Sequence, residues 1–164
     1  MEKKDFGKDV RTTIPAGAGS DTPEQLKLDN QLCFPLYACA RKVVSLYTPF
    51  FKPLGITYTQ YLVFMVLWEK DGLSVSELCD RLLLDSGTVT PLLKKMEGAG
   101  YVTRTRSSED ERVVLVHLTK KGQDLRREVE KIPGKIGACV DLEPEEAATL
   151  YRLLYKVIGG IESA

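Results

Sequence analysis

The chain has 164 residues, 43% hydrophobic and 28% charged, which is enough for one buried core with some tail. Its 23 Lys and Arg balance 23 Asp and Glu to a net charge of zero, so it lacks the overall basicity of a strong nonspecific nucleic-acid binder. No apolar run reaches the ~18 residues needed to span a membrane, and the polar N-terminal stretch lacks the apolar core of a signal peptide, so the expected location is the cytoplasm with no membrane partner.

Residues 1–27 are rich in Gly, Pro, Thr and charge, with few apolar anchors, and are expected to form a flexible tail. Helical patterning begins near Leu28, runs through NQLCFPLYACARKVVSLYTPFF, and meets Pro35, then Pro49 and Pro53. Pro35 either ends the first helical turn or kinks the helix and sets the exposure of nearby Cys33. A second helix, TYTQYLVFMVLWEK, opens at Thr57 and closes near Gly72.

From Leu73 to Thr119 two short helical patterns and a charged hairpin follow with almost no linker. Ser74 is a good N-cap for SVSELCDRLL, which places Val75, Leu78, Leu82 and Leu83 at helical spacing. After a turn at Leu84 and Asp85, DSGTVTPLLKKMEGAG can cap itself with Asp85 or Ser86, bears Pro91 at a local cost, and stops at Gly98 or Gly100. Val89, Leu92, Leu93 and Met96 fall on one side of this helix, leaving Ser86, Thr88, Thr90, Lys94 and Lys95 on the other. Two β-rich runs, Tyr101 to Arg106 and Arg112 to Leu118, are joined by the polar loop Ser107 to Glu111.

That order predicts a mostly α chain with a small β-hairpin wing, a winged helix-turn-helix spanning 57–118 whose second helix meets DNA bases and phosphates. Many small α+β domains carry the same elements without a nucleic-acid partner. Local charge favours DNA: Ser86 to Ser108 holds Lys94, Lys95, Arg104 and Arg106 against Glu97 alone, a net of +3.

Past the hairpin, Thr119 can cap a polar helix (KKGQDLRREVEKI) that meets Pro133 and Gly134, where the chain bends or starts again. The last segment, LEPEEAATLYRLLYKVIGGI, has Pro144 just inside a helix start and Glu145 and Glu146 in its first turn. Its stripe of Leu150, Leu153, Leu154, Val157 and Ile158 needs a cover, so a symmetric dimer built from residues 28–56 and 119–164 is expected.

Cys33, Cys39, Cys79 and Cys139 are widely spaced with no CxxC pair, and the single His117 sits in a strand, so neither a metal nor another cofactor is expected. Taken alone, Cys33 between Leu32 and Phe34 reads as a small buried hydrophobe. If Asp29 or Asn30 caps the helix, the sulfur instead lies in a first turn whose unpaired N–H groups and dipole favour the thiolate, the form that attacks a peroxide oxygen. Cys39 and Cys79 read as structural.

The chain resembles the MarR family of winged-helix repressors from about Leu28 to Ile161, with DERVVLVHLT (Asp110 to Thr119) matching that family's wing signature. Within the family it is most similar to the organic hydroperoxide-sensing OhrR branch, through LDNQLCFPLYACAR around Cys33, LYTPFFKPLGITYTQYLVFMVLWE, and LDSGTVTPLLKKMEGAGYVTRTRSSEDER. The resemblance implies a non-enzymatic redox sensor in which Tyr47 and Tyr58 hydrogen-bond the Cys33 sulfur across the dimer, with Tyr37 nearby; each would otherwise be an ordinary aromatic core residue. Phe34 and Leu36 would give that site an apolar lining suited to organic peroxides. Cys139 falls where two-cysteine members carry a resolving cysteine, whereas one-cysteine members take a thiol from solution.

The resemblance also implies DNA contacts by Ser86, Thr88, Thr90, Pro91, Lys94 and Lys95, with Arg112 entering the minor groove and Asp110 orienting it; Gly87, beside them on the same helix, and Arg104, from its local charge, complete the expected DNA surface. An Asp and Arg in one hairpin can also simply brace the turn. A twofold dimer would read an inverted repeat in double-stranded operator DNA. Two other readings use the same residues: a regulator controlled by a small apolar or phenolic ligand with Cys33 inert, and a thiol peroxidase that turns over at Cys33.

Overall fold

The computed structural model describes residues 22–162, which divide into two units, 22–41 and 42–162. Of the expected tail, residues 1–21 lie outside the described residues, and the rest carries a 3-10 turn at Glu24–Leu26. A second 3-10 turn, Leu28–Asn30, occupies the stretch where a helix was expected to begin. The Asn30 side-chain amide donates to the Glu24 carbonyl at 2.8 Å and to Glu24 Oε2 at 3.2 Å, and Lys27 pairs with the same carboxylate. Asn30 is thereby turned back toward Glu24. The first α-helix, α1 (Cys33–Phe51), starts later than the periodicity suggests, and the residue before it is Leu32, so neither Asp29 nor Asn30 is its cap. Pro35 sits in the first turn of α1, where a missing N–H forfeits no helical hydrogen bond, and the helix runs through it.

In the second unit, α2 (Tyr58–Glu69) opens with a capping box, Thr57 accepting from the Gln60 N–H while the Gln60 side chain accepts from the Thr57 N–H. Strand β1 (Leu73–Ser74) leads directly into α3 (Val75–Leu82), which repeats the device with Ser74 and Glu77. Helix α4 (Ser86–Gly98) follows, then β2 (Val102–Arg106), β3 (Val114–Leu118), α5 (Lys120–Val129), α6 (Ile132–Gly137) and α7 (Pro144–Glu162). The strands form an antiparallel sheet in the order β1-β3-β2, with Leu73 opposite Val116 and Arg104 opposite Val116 on the other side. The hairpin is therefore slightly shorter than expected, its loop covering 107–113, and the two-residue strand β1 that closes its other edge carries too little sequence to show a period.

The core joins Phe64 and Leu67 of α2 to Leu78 of α3, Val89, Leu93 and Met96 of α4, Val102 and Val116 of the sheet, and Leu125, Val129, Ile132 and Ile136 of α5 and α6. Trp68 stacks on Phe64 with ring centroids 5.4 Å apart, and its indole N–H donates to the Gly122 carbonyl at 3.0 Å. Leu83, expected on the apolar face of α3, is instead the left-handed residue that ends the helix, at φ 53° and 58% exposed. The Leu84 N–H reaches back to the Cys79 carbonyl at 3.1 Å, and that reversal turns the chain toward α4. At the far end of α4, Gly100 at φ +75° lets its own N–H bond Glu97 O at 2.8 Å and the Tyr101 N–H bond Met96 O at 3.0 Å, a Schellman closure.

Thr119 caps α5 by accepting from the Gly122 N–H at 3.2 Å, and its hydroxyl lies 2.7 Å from the Gly100 carbonyl. Helix α5 approaches so closely here that a Cβ on Gly122 would sit 2.3 Å from the Tyr101 carbonyl oxygen. Helix α7 differs from the others: Leu150, Tyr151, Leu153, Leu154, Tyr155, Val157 and Ile161 are all exposed in the single chain. Among the described residues no helix is long and apolar enough to cross a membrane.

Gly122→Ala has to push backbone apart at the α5 junction and is expected to cost about 1–3 kcal/mol, the range for overpacking a close contact, read as a lower urea midpoint with unchanged slope. Leu83→Gly removes a Cβ from a left-handed position and should leave stability unchanged or raise it by up to about 1 kcal/mol. A clear loss of stability would mean that the exposed Leu83 side chain makes a contact in solution.

Candidate nucleic-acid interface and thiol site

Helix α4 presents Ser86, Gly87, Thr88, Pro91, Lys94 and Lys95 to solvent, with Thr90 half-buried, because Val89, Leu93 and Met96 are fully buried on the other side. Asp85 is its N-cap, one carboxylate oxygen accepting the Thr88 N–H at 2.9 Å and the other lying 2.8 Å from the Thr88 hydroxyl. The hydrogen bond from the Thr88 hydroxyl, helped by backbone N–H groups, holds Asp85 below the usual carboxylate range. An ionised Asp85 only accepts, so the hydroxyl proton of Thr88 points at it. Pro91, on the exposed face, brings no N–H to the Gly87 carbonyl.

The wing is braced from inside. Arg106 Nη1 donates to the Glu111 carbonyl at 2.6 Å, the Ser107 N–H bonds Val113 O at 2.9 Å, and the Val113 N–H bonds Asp110 O at 2.9 Å. Arg112 donates from Nε and Nη2 to the two oxygens of Asp110, each at 3.0 Å, and its own N–H bonds the same carboxylate at 3.0 Å. Its side chain is nevertheless 90% exposed, so Asp110 aims the guanidinium outward from the loop. The Arg112 contact holds Asp110 below the usual carboxylate range.

Arg104, expected on the DNA surface, is committed to Glu97. Its Nε and Nη2 donate to Glu97 Oε2 at 2.9 and 2.6 Å, and its side chain is 23% exposed. The local +3 is correspondingly offered by Lys94, Lys95 and Arg106, with Arg104 and Glu97 cancelling each other. Sequence reasoning counted Glu97 only as an offsetting charge, and nothing in helix or strand periodicity links two residues across the turn at Gly100.

The expected sensor residues fall into both units. In 22–41, Cys33 is the first residue of α1 and exposed, with Gln31 Oε1 4.0 Å from its sulfur. A reading of Cys33 as a buried hydrophobe does not hold for the single chain. One turn on, the Tyr37 hydroxyl accepts from Arg41 Nη1 at 3.5 Å, and Phe34 is exposed. In 42–162, the Tyr47 and Tyr58 rings pack at a tilt with centroids 4.9 Å apart, within a cluster that includes Phe51 and Tyr61. Burial pushes the hydroxyls of both Tyr47 and Tyr58 above the usual phenol range. They border an open groove of about 390 Å³ lined also by Val44, Thr48, Phe51 and Ile56.

Cys139 is exposed just beyond α6, its sulfur 3.3 Å from the Lys135 carbonyl. Cys79 packs against the core, and burial raises its thiol above the ordinary range, as suits an inert residue. Cys39 was expected to be structural as well, but it is exposed on α1 and packs in no core of this chain.

A family model described as transcriptional regulator SarA/Rot matches residues 45–129. The organic hydroperoxide resistance transcriptional regulator of Bacillus subtilis strain 168 is 44% identical over 135 residues, 82% of this chain and 92% of that protein. The chain is a winged-helix transcriptional regulator of the SarA/Rot and MarR type. Among solved regulators of this kind, AbfR of Staphylococcus epidermidis is similar in three states, reduced on DNA, overoxidised on DNA and disulfide-formed. Reduced AbfR bound to DNA is 34% identical with a TM-score of 0.73, covering 85% of this chain and 96% of that one. Disulfide-formed AbfR is 34% identical with a TM-score of 0.59, covering 86% and 96%.

Asp85, Glu97 and Asp110 are all held below their unfolded-state values, so what they contribute is complete above the ordinary carboxylate range and is lost as pH falls through the lower folded values. The Arg104 and Arg112 Nε–H signals in an NMR titration should therefore move with midpoints below the ordinary carboxylate range of about 4. Movement already near about pH 5, above that range, would show that the two arginine pairs are open in solution.

Proposed function

We propose that this regulator binds operator DNA as a homodimer and lets go when Cys33 is oxidised by an organic hydroperoxide. The observation that carries the proposal is the placement of Cys33: an accessible sulfur on the first residue of a long helix. The thiol takes one oxygen from the peroxide, giving a sulfenic acid and the alcohol. The sulfenic acid then condenses with a second thiol to a disulfide and water. That thiol is Cys139 or one from solution. Tyr37, Tyr47 and Tyr58 are the candidate hydroxyl donors to the sulfur in the dimer.

On the DNA side, residues 57–118 supply the reader. The N-terminal end of α4 and the exposed Ser86, Gly87, Thr88, Thr90, Pro91, Lys94 and Lys95 meet the major groove, and Arg112, aimed by Asp110, meets the minor groove. The similarity to reduced, DNA-bound AbfR supports the first half of the proposal, and the name of the Bacillus relative supports the second. Residues 28–56 and 119–162 supply the dimer, which covers the apolar side of α7. A regulator of this kind makes no catalytic product and resides with the DNA it reads, in the cytoplasm.

A second reading, control by a small apolar or phenolic ligand, is favoured by the groove beside Tyr47 and Tyr58, whose volume suits such a molecule. The two separate cleanly. Under the peroxide proposal Cys33→Ser binds operator as tightly as wild type and stays bound after cumene hydroperoxide. If Cys139 is the second thiol, Cys139→Ser still forms the Cys33 sulfenic acid but loses the disulfide. Release of Cys33→Ser by peroxide at the wild-type dose would contradict the sensing role and leave the ligand reading in place.

A further inference from the structure

Glu97 lies in the last turn of α4, facing strand β2, and both of its oxygens are spent on one residue. Oε1 accepts the Arg104 backbone N–H at 3.1 Å, while Oε2 accepts from Arg104 Nε and Nη2 at 2.9 and 2.6 Å. Strand β2 is at the edge of the sheet, and Arg104 pairs with Val116 across it, so the N–H that Glu97 takes is an outward one that would otherwise face water. Binding a strand through its amide and its side chain together fixes both its distance from α4 and its roll about its own axis.

The wing is built on that strand. Arg106 ends β2 and holds the Glu111 carbonyl, and the loop it closes carries Arg112 in the grip of Asp110. Three polar contacts, Glu97 with Arg104, Arg106 with the Glu111 carbonyl and Arg112 with Asp110, are thus joined by the backbone of β2 and its loop between α4 and the wing arginine. We propose that Glu97 and Arg104 form a positioning pair, setting the angle between the recognition helix and the wing so that Lys94, Lys95 and Arg112 engage one duplex together. Arg104 is then no direct DNA contact. The inference rests on the DNA-binding reading above.

Charge alone makes the opposite forecast. Glu97 is the only acidic residue between Ser86 and Ser108, so removing it leaves the DNA-facing segment more positive and, by counterion release, should tighten binding. Positioning requires that removal to weaken it. Arg104→Lys makes the complementary distinction, because lysine keeps the charge that a phosphate contact needs but loses the guanidinium fork that spans Glu97.

The test uses the full-length protein and a fluorescein-labelled duplex enriched by the wild type from random DNA, with affinity read by anisotropy across a salt series and folding checked by urea melts. Glu97→Gln and Arg104→Lys should each bind on the order of tenfold weaker, the scale of one well-made charged contact. The slope of log K against log salt should become shallower by about 0.9 for each phosphate that the wing no longer neutralises. The double variant should bind no worse than either single one, since both break the same link. Binding by Glu97→Gln as tight as wild type or tighter, or additive losses in the double variant, would overturn the positioning role. A wild type that enriches no duplex would fail one step earlier, at DNA binding itself.

Discussion

Val89, Leu93 and Met96 hold α4 in the core along one side, and what the opposite side offers follows from that constraint. Three side chains at helical spacing, packed against Phe64, Leu78 and Val102, fix the rotation of the helix about its axis, so a one-residue slip would bury Lys94 or Thr90 and expose Met96. Buried positions therefore decide which hydroxyls and lysines are exposed. Asp85 fixes the start of the helix and Gly100 its end, and Glu97 near that end carries the orientation on to the wing strand.

Helix α7 has no comparable anchor. Its capped, acidic first turn stabilises the helix as a local element, but its apolar stripe faces water in the single chain. Fully burying one leucine or valine is worth about 1.5–3 kcal/mol, so a stripe of this length is a strong incentive to pair. The exposed Leu26, Leu28, Leu32 and Phe34 of residues 22–41 have the same need. The proposed dimer meets it from both ends of the chain, and in it Cys39, exposed in the single chain, need not stay exposed.

Much of the second unit was legible in the sequence because local and long-range signals agree there. Thr57, Ser74, Asp85 and Thr119 are good caps and act as caps, and the apolar periods of α3, α4 and the hairpin point to faces that are buried. The departures have particular causes. Leu83 follows the apolar pattern of α3, but the chain must turn there, and no glycine is present to take the left-handed conformation. The start of α1 was misplaced because LDN reads as a helix cap until the Asn30 amide is seen bound back to Glu24. The engagement of Arg104 with Glu97 depends on how α4 lies against β2, which no pattern along the chain records. At the thiol site, the residues were legible as a set only through resemblance, since a cysteine and three tyrosines have no helical or strand spacing that marks them as chemistry.

The chemical change proposed at Cys33 is small, one oxygen on one sulfur, while the DNA-reading elements are held by a fully packed core. A second covalent step that displaces α1 gives such a switch its leverage. The most direct measurement follows the reduced wild-type protein on a fluorescent operator duplex while cumene hydroperoxide is added in sub-stoichiometric steps, with intact-mass and peptide analysis of each sample. Loss of DNA binding in proportion to Cys33 modified, reversed by dithiothreitol, is the expected result. Tight binding that persists once Cys33 is completely converted to a disulfide would contradict the peroxide switch.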